Sequence, residues 1–130
     1  MEIDDSHILY NDIINANTLL YLGDNCGEIV LDKLLIKRIK MINPSIDIYF
    51  AVRGDNVVND NIEEDAYYVK MDEYAHIINN GDDSLGTVLQ RTSNDFKYIY
   101  NNADIVISKG QANYESLSDE KKNIYFYVVI

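Results

Sequence analysis

Three short hydrophobic segments, each followed directly by a polar loop, constrain the fold of this chain most strongly. They are Thr18–Leu22, Asp47–Val52 and 105–107, and their apolar, β-branched and aromatic residues are typical of buried strands. Helical patterns lie between them and provide the crossovers that parallel strands need, so the three strands end at one edge of a sheet. Ligands of open α/β sheets bind outside the carboxyl ends of the strands. The polar loops therefore predict one binding site at that edge.

The rest of the chain continues the alternation of strand and helix. Apolar spacing predicts helices at 4–16, 28–42 and 61–69 and a helix capped by Ser93, with a further helix ending near Leu117. Two more strands are predicted around 75–78 and at 123–130, and His76 in the first of these is expected to be a hydrogen-bonded core histidine. The pattern predicts a single α/β domain, 1–130, with a mainly parallel sheet and helices on both faces.

The helix at 28–42 has apolar and basic residues at helical spacing. We expect its buried face to consist of Leu31, Leu35, Ile39 and Ile42. Its lysines are expected to form the opposite, solvated face, at positions 33, 37 and 40.

Composition and charge narrow the class of protein. The formal net charge of −11 argues against nucleic-acid binding through the phosphate backbone. No apolar run approaches the length of a membrane span and the first residues are acidic, so we expect a cytoplasmic protein with no membrane partner. The single cysteine, Cys26, excludes an internal disulfide and any CxxC metal site.

The first polar loop combines oxygen ligands with a helix start. Asp24 and Asn25 carry the hard oxygens that Mg²⁺ or Mn²⁺ prefers, and the backbone N–H groups around Gly27 and Glu28 suit an anion. The loop lacks the lysine of a P-loop and the spacing of a dinucleotide site, so taken alone it favours a simple strand-to-helix turn with an Asx cap. The loop after the 105–107 strand contains the missing lysine.

Three sequence segments resemble, in their residues and in their order, those of the DUF89 family of ARMT1-like damage-control phosphatases. The segments are LYLGDNCGEIVLDKLL, AVRGDNVVNDNIEEDA and ADIVISKGQANYESL, and the likeness is greatest to short stand-alone prokaryotic members. The resemblance implies a three-layer α/β/α Rossmann-like core, one divalent metal ion (Mg, Mn, Co or Ni) and hydrolysis of phosphomonoesters such as sugar phosphates or damaged metabolites.

The resemblance also implies roles for individual residues. The family's metal ligands fall on Asp24, Asn25 and Asp60, and its phosphate-holding lysine falls on Lys109, so Asp24 and Lys109 are the catalytic candidates. Further positions that line the site in the family, or present N–H groups to a phosphate, are Gly27, Glu28, Arg53, Asn59, Ser108 and Asn113. Cys26 stands where a small residue is usual and is expected to fill space.

Family members are considerably longer than 130 residues, so the chain is expected to be the core part of a longer family fold. Its hydrophobic last strand predicts a homo-oligomer that pairs through this edge. The residue chemistry and the resemblance together favour a metal-dependent phosphatase in which either a metal-bound water or Asp24 is the nucleophile. A metal- or nucleotide-binding module without catalysis and a purely structural fragment are the alternatives.

Overall fold

The computed structural model describes residues 6–23, 29–52, 66–67, 69–79, 87 and 89–127. Its helices are α1 (Ser6–Asn15), α2 (Ile29–Ile42), α3 (Asn94–Asn102) and α4 (Gln111–Leu117), with short 3₁₀ turns at Met71–Glu73 and Leu89–Arg91. Its strands are β1 (Thr18–Leu22), β2 (Asp47–Val52), β3 (His76–Asn79), β4 (Ile105–Lys109) and β5 (Ile124–Tyr127). Within these ranges, no helix has the length and apolar character needed to cross a bilayer.

The five strands form one sheet in the order β3-β2-β1-β4-β5, and every neighbouring pair is parallel. β1 lies in the centre, and four of its five residues are buried. Such burial on both faces explains why the strand sequence is almost uniformly apolar instead of alternating. The predicted α/β fold is confirmed, and the sheet is wholly parallel over the described strands.

Helices cover both faces of the sheet. Leu19 and Tyr21 of β1 share one hydrophobic cluster with Ile36 and Ile39 of α2, while the alternate residue Leu20 packs on the other face with Phe96 of α3. This division follows from the two-residue repeat of a strand, which points successive side chains to opposite faces. Burying one such isoleucine or phenylalanine is worth about 1.5–3 kcal/mol. The helical layers predicted on both sides of the sheet are therefore present.

The buried face of α2 differs from the prediction. Leu31 and Leu35 are 49% and 42% exposed, and the helix buries Asp32, together with Ile29, Ile36 and Ile39. Val30 and Leu34 are also exposed, so α2 carries apolar residues on two sides. Periodicity alone does not select between two apolar faces, and the packing against β1 decides which one is buried.

The lysine face of α2 was also predicted incorrectly in part. Lys37 is exposed, whereas Lys33 and Lys40 are half-buried. The Lys40 ammonium donates to the carbonyl of Ile46 at 2.7 Å, which anchors the connection between α2 and β2. A long lysine stem covers apolar surface while its ammonium reaches a polar partner.

Other expectations change at the ends of elements. His76 is exposed and its ring stacks on Tyr49 at 4.8 Å, so it is not the predicted core histidine, because β3 is an edge strand of the described sheet. β4 runs two residues further than predicted and includes Ser108 and Lys109. Ser93 caps α3 as predicted, since its hydroxyl accepts the backbone N–H of Phe96. The structure describes only Ala66, Tyr67 and Val69 of the predicted 61–69 helix, and the first two are helical.

Candidate functional site

The carboxyl ends of β1 and β4 lie side by side, with Leu22 paired to Ser108. The chain leaves β1 for β2 on one side of the sheet, and later returns to β4 on the other side of β1. This is the point where the strand order reverses, and open α/β sheets bind ligands in the crevice outside such a point. The topology therefore marks this edge as the candidate site.

A buried ion pair lies at this edge. The ammonium of Lys109 donates to Oδ1 of Asp32 at 2.9 Å, and the two side chains are 4% and 1% exposed. The Tyr21 hydroxyl donates to the same carboxylate oxygen at 2.7 Å. Charges removed from water in this way require close partners, and hydrogen bonds to ionised groups are the strong ones.

The sequence brings these three side chains to one place for local reasons. Tyr21 on β1 and Ile105 on β4 share the hydrophobic cluster on the α2 side of the sheet, and Lys109 is four residues after Ile105 and so points to the same face. Asp32 lies in the first turn of α2, where the positive end of the helix dipole also favours a carboxylate. The pair thus joins the end of β4 to the start of α2.

A second polar group lies around the start of α4. Asn113 Nδ2 donates to the carbonyl of Lys109 at 2.8 Å, and the Thr87 hydroxyl donates to Asn113 Oδ1 at 2.8 Å. Ser108 is fully buried, and its hydroxyl has no hydrogen-bond partner within the described part of the chain. Gly110, between β4 and α4, has φ 102° and ψ 155°, a conformation that is essentially restricted to glycine. This turn folds Asn113 back onto the end of β4.

The structure places three of the predicted site residues together. Ser108 and Lys109 are the buried last residues of β4, and Asn113 is buried in α4, which follows them, while their role in ligand binding stays a prediction. The other predicted site residues lie outside the described residues: Asp24, Asn25, Gly27, Glu28, Arg53, Asn59 and Asp60. Cys26 lies there as well. In the ranges that are described, no group of three or more His, Cys, Asp or Glu side chains is arranged to hold a metal. The metal site therefore stays a prediction.

Asp32, Tyr21 and Thr87 were not predicted as parts of the site. A signal for Asp32 was present, because it lies in the helical series of Ile29, Ile36 and Ile39, at spacings of three, four and three. An acidic residue within an apolar stripe is rarely fully buried unless it is paired. Asp32 in this stripe therefore predicts a cationic partner elsewhere in the chain. Tyr21 and Thr87 had no comparable signal, since a strand tyrosine and a loop threonine are ordinary.

Comparisons with known proteins agree on one family. The model of the damage-control phosphatase ARMT1-like domain matches residues 1–128. An uncharacterised protein of Methanocaldococcus jannaschii, MJ0202, is 39% identical over 126 residues, which are 95% of this chain and 41% of that protein. The damage-control phosphatase PH1575 of Pyrococcus horikoshii is 32% identical over 127 residues, which are 98% of this chain and 44% of that protein.

Two further comparisons give the same result. A damage-control phosphatase of Archaeoglobus fulgidus is 34% identical over 107 residues, covering 82% of this chain and 36% of that protein. The crystal structure of PH1575, described as a DUF89 family protein, matches with a TM-score of 0.95 and 32% identity over 98% of this chain and 45% of that one. The chain spans less than half the length of these relatives. By the family match over nearly all of its residues and by its fold, the chain belongs to the damage-control phosphatase ARMT1-like (DUF89) family.

Proposed function

We propose that this chain is the phosphate-binding core of a divalent-metal-dependent phosphatase that hydrolyses phosphomonoesters, such as sugar phosphates or damaged phosphometabolites. The observation that carries the proposal is the buried ammonium of Lys109 at the reversal of the strand order. Membership of the family supports it, as do two relatives that are named damage-control phosphatases. A fixed cation at this position suits a phosphate, because phosphoryl transfer depends mainly on positioning and charge stabilisation.

The residues of this chain have distinct parts in the proposal. Lys109 balances charge on the phosphoryl oxygens, assisted by the backbone N–H groups around Gly27 and Glu28. Ser108, which is buried, precedes Lys109 in β4, and the amide of Asn113 donates to the backbone carbonyl of Lys109, so we propose that both shape the site. Arg53 and Asn59 follow β2 in the chain, and we propose that they complete the lining. A net charge of −11 makes such placed cations necessary, because an acidic surface otherwise repels a phosphate ester.

The proposed metal ligands are Asp24, Asn25 and Asp60. Their donor set of two carboxylates and one amide oxygen suits Mg²⁺ or Mn²⁺, with Co²⁺ or Ni²⁺ as substitutes. Asp24 and Asn25 directly follow Gly23, the residue after β1, whose neighbour in the sheet carries Lys109. When bound, the ion would supply Lewis-acid stabilisation of the phosphoryl group and lower the pKa of a bound water.

The nucleophile is either that water or the carboxylate of Asp24. Acid quench during a single turnover of a ³²P-labelled phosphomonoester separates the two. Label that stays on the precipitated chain but not on Asp24→Asn indicates an aspartyl-phosphate, whereas label found only in released phosphate indicates water.

The test of the proposed function is metal-dependent release of phosphate from p-nitrophenyl phosphate and fructose 1-phosphate by the full chain. We expect release with Mn²⁺, none with EDTA, and none from the Lys109→Met variant. The matched control is Lys121→Met, because Lys121 is an exposed lysine on the connection between α4 and β5. Equal rates for the two variants would contradict the role of Lys109.

The second candidate function is a metal- or nucleotide-binding module without catalysis. The observation that favours it is the coverage of less than half of each relative, because groups outside this span can contribute to substrate positioning in those proteins. Calorimetric titration with Mn²⁺ and with a nucleotide distinguishes this function, since binding without phosphate release supports it. No binding at all supports a purely structural fragment.

We also propose that the protein forms a homo-oligomer through its last strand. β5 is an edge of the described sheet, and an apolar edge strand is a template for pairing with another chain. A symmetric dimer is the simplest arrangement. Sedimentation equilibrium is expected to show a dimer or larger species, and a monomer at high protein concentration would refute this.

A further inference from the structure

The carboxylate of Asp32 contacts both the ammonium of Lys109, at the end of β4, and the hydroxyl of Tyr21. Lys109 Nζ and the Tyr21 hydroxyl both donate to Asp32 Oδ1, at 2.9 Å and 2.7 Å. All three residues are buried: as whole residues, Tyr21 and Asp32 are 0% exposed and Lys109 is 3% exposed. Both donors share one oxygen, so the carboxylate of Asp32 links the ammonium to the tyrosine hydroxyl.

The carboxylate is itself mounted on rigid elements. Asp32 lies between the buried residues Ile29 and Ile36 in α2, and Tyr21 lies in the central strand with its ring 5.7 Å from that of Phe50. Lysine, in contrast, has a flexible four-carbon stem and is poorly positioned unless something holds it. Functional groups are precise when packed elements and supporting hydrogen bonds fix their rotamers.

We propose that Asp32 is a positioning residue for phosphate recognition: it fixes the Lys109 ammonium where the anion binds, and Tyr21 fixes Asp32. This inference rests on the proposed function and explains how the Lys109 ammonium is oriented for it. A lysine held by a carboxylate has lost its rotamer freedom before the ligand arrives, so binding costs less. An ammonium has three N–H donors, so the bond to Asp32 does not by itself exclude a contact with phosphate.

A purely structural role predicts a different outcome, and the chain offers a matched control. Asp104 is an acid at the amino end of β4, and its carboxylate accepts the backbone N–H groups of Asn17 and Thr18 at 2.8 Å and 3.1 Å. It therefore ties β4 to the start of β1 at the sheet edge opposite to the site. Asp104→Asn is expected to affect stability alone, whereas Asp32→Asn is expected to affect anion affinity as well.

The test measures thermal unfolding of the full chain at increasing concentrations of inorganic phosphate in the presence of Mg²⁺. The rise in melting temperature gives the phosphate affinity by mass action. We expect Asp32→Asn to weaken this affinity about 10- to 100-fold, as loss of an outer supporting partner does at metal sites. Lys109→Met should abolish it, and Asp104→Asn should leave it unchanged.

Several results would overturn the positioning role. Unchanged phosphate affinity in Asp32→Asn would do so, as would the absence of any phosphate-dependent rise in the unaltered chain. If Asp32→Asn does not fold, Tyr21→Phe decides, because it leaves the ion pair in place: a weakening of about two- to tenfold supports the proposal, and an unchanged affinity refutes it. Turnover is measured separately, so the expected affinity pattern without phosphate release refutes only the proposed hydrolysis.

Discussion

Removing the positive charge of Lys109 is expected to destabilise the fold more than any exposed lysine substitution. Lys109→Met keeps the length and apolar stem of the side chain but removes the ammonium that pairs with Asp32, whose side chain is 1% exposed. Breaking a buried ion pair by removing one partner costs about 3–5 kcal/mol. Against a total stability of about 5–15 kcal/mol for a typical protein, such a loss is large.

Removing both charges should recover much of that loss. The double variant Asp32→Leu/Lys109→Met removes both charges of the described pair, and replacing a buried ion pair by apolar residues of similar volume is often neutral. The Tyr21 hydroxyl then loses its bond to Asp32 Oδ1, which is expected to cost about 1–3 kcal/mol. We therefore expect the double variant to be more stable than Lys109→Met alone.

Urea unfolding followed by circular dichroism checks both values. A loss of 3–5 kcal/mol moves the urea midpoint by more than about 1 M for a protein of this size. Lys121→Met is the control and should change the free energy of unfolding by less than about 0.5 kcal/mol, as surface substitutions usually do. A cost below about 1 kcal/mol for Lys109→Met, which is typical of solvent-exposed pairs, would refute the reasoning.

Three further predictions concern packing, pH and metal. Ile36→Ala should lower the free energy of unfolding by about 2–5 kcal/mol and Leu35→Ala by less than about 1 kcal/mol, because only Ile36 is buried. The reverse order in urea unfolding would show that the face predicted from periodicity is the buried one. Burial, with the charge of Glu120 and the hydrogen bond to it, raises the pKa of Tyr100 above its usual value of about 10. The contribution of neutral Tyr100 to the free energy of unfolding is therefore complete below about pH 10 and declines above it by up to about 1.4 kcal/mol per pH unit. Tyr100→Phe should make the free energy of unfolding fall less steeply at alkaline pH, and an unchanged slope would contradict this. Mn²⁺ should raise the melting temperature of the unaltered chain but not of Asp24→Asn, and a rise in both would show that Asp24 is not a ligand.

Local sequence determined the strands and several helix limits. Thr18–Leu22 and Asp47–Val52 were predicted with the bounds that the structure shows, because each is a short hydrophobic run between polar or turn-forming residues. The Ser93 cap was predicted for the same kind of reason, since a hydroxyl that accepts the N–H of Phe96 is a contact across three residues. The strand and helix alternation then led to the parallel sheet and to the edge that carries Lys109.

Tertiary structure decided which faces are buried and which charges meet. α2 has two apolar sides, and its period is the same whichever side faces the sheet, so only packing against β1 placed Ile36 inside and Leu35 outside. The partners Asp32 and Lys109 are 77 residues apart, and no local pattern connects them. The burial of Asp32 in the apolar stripe became understandable only when the sheet order placed β4 beside β1 and brought its cation to the start of α2. Asp32 is buried because Lys109 lies next to it, and the position of Lys109 depends on the whole fold.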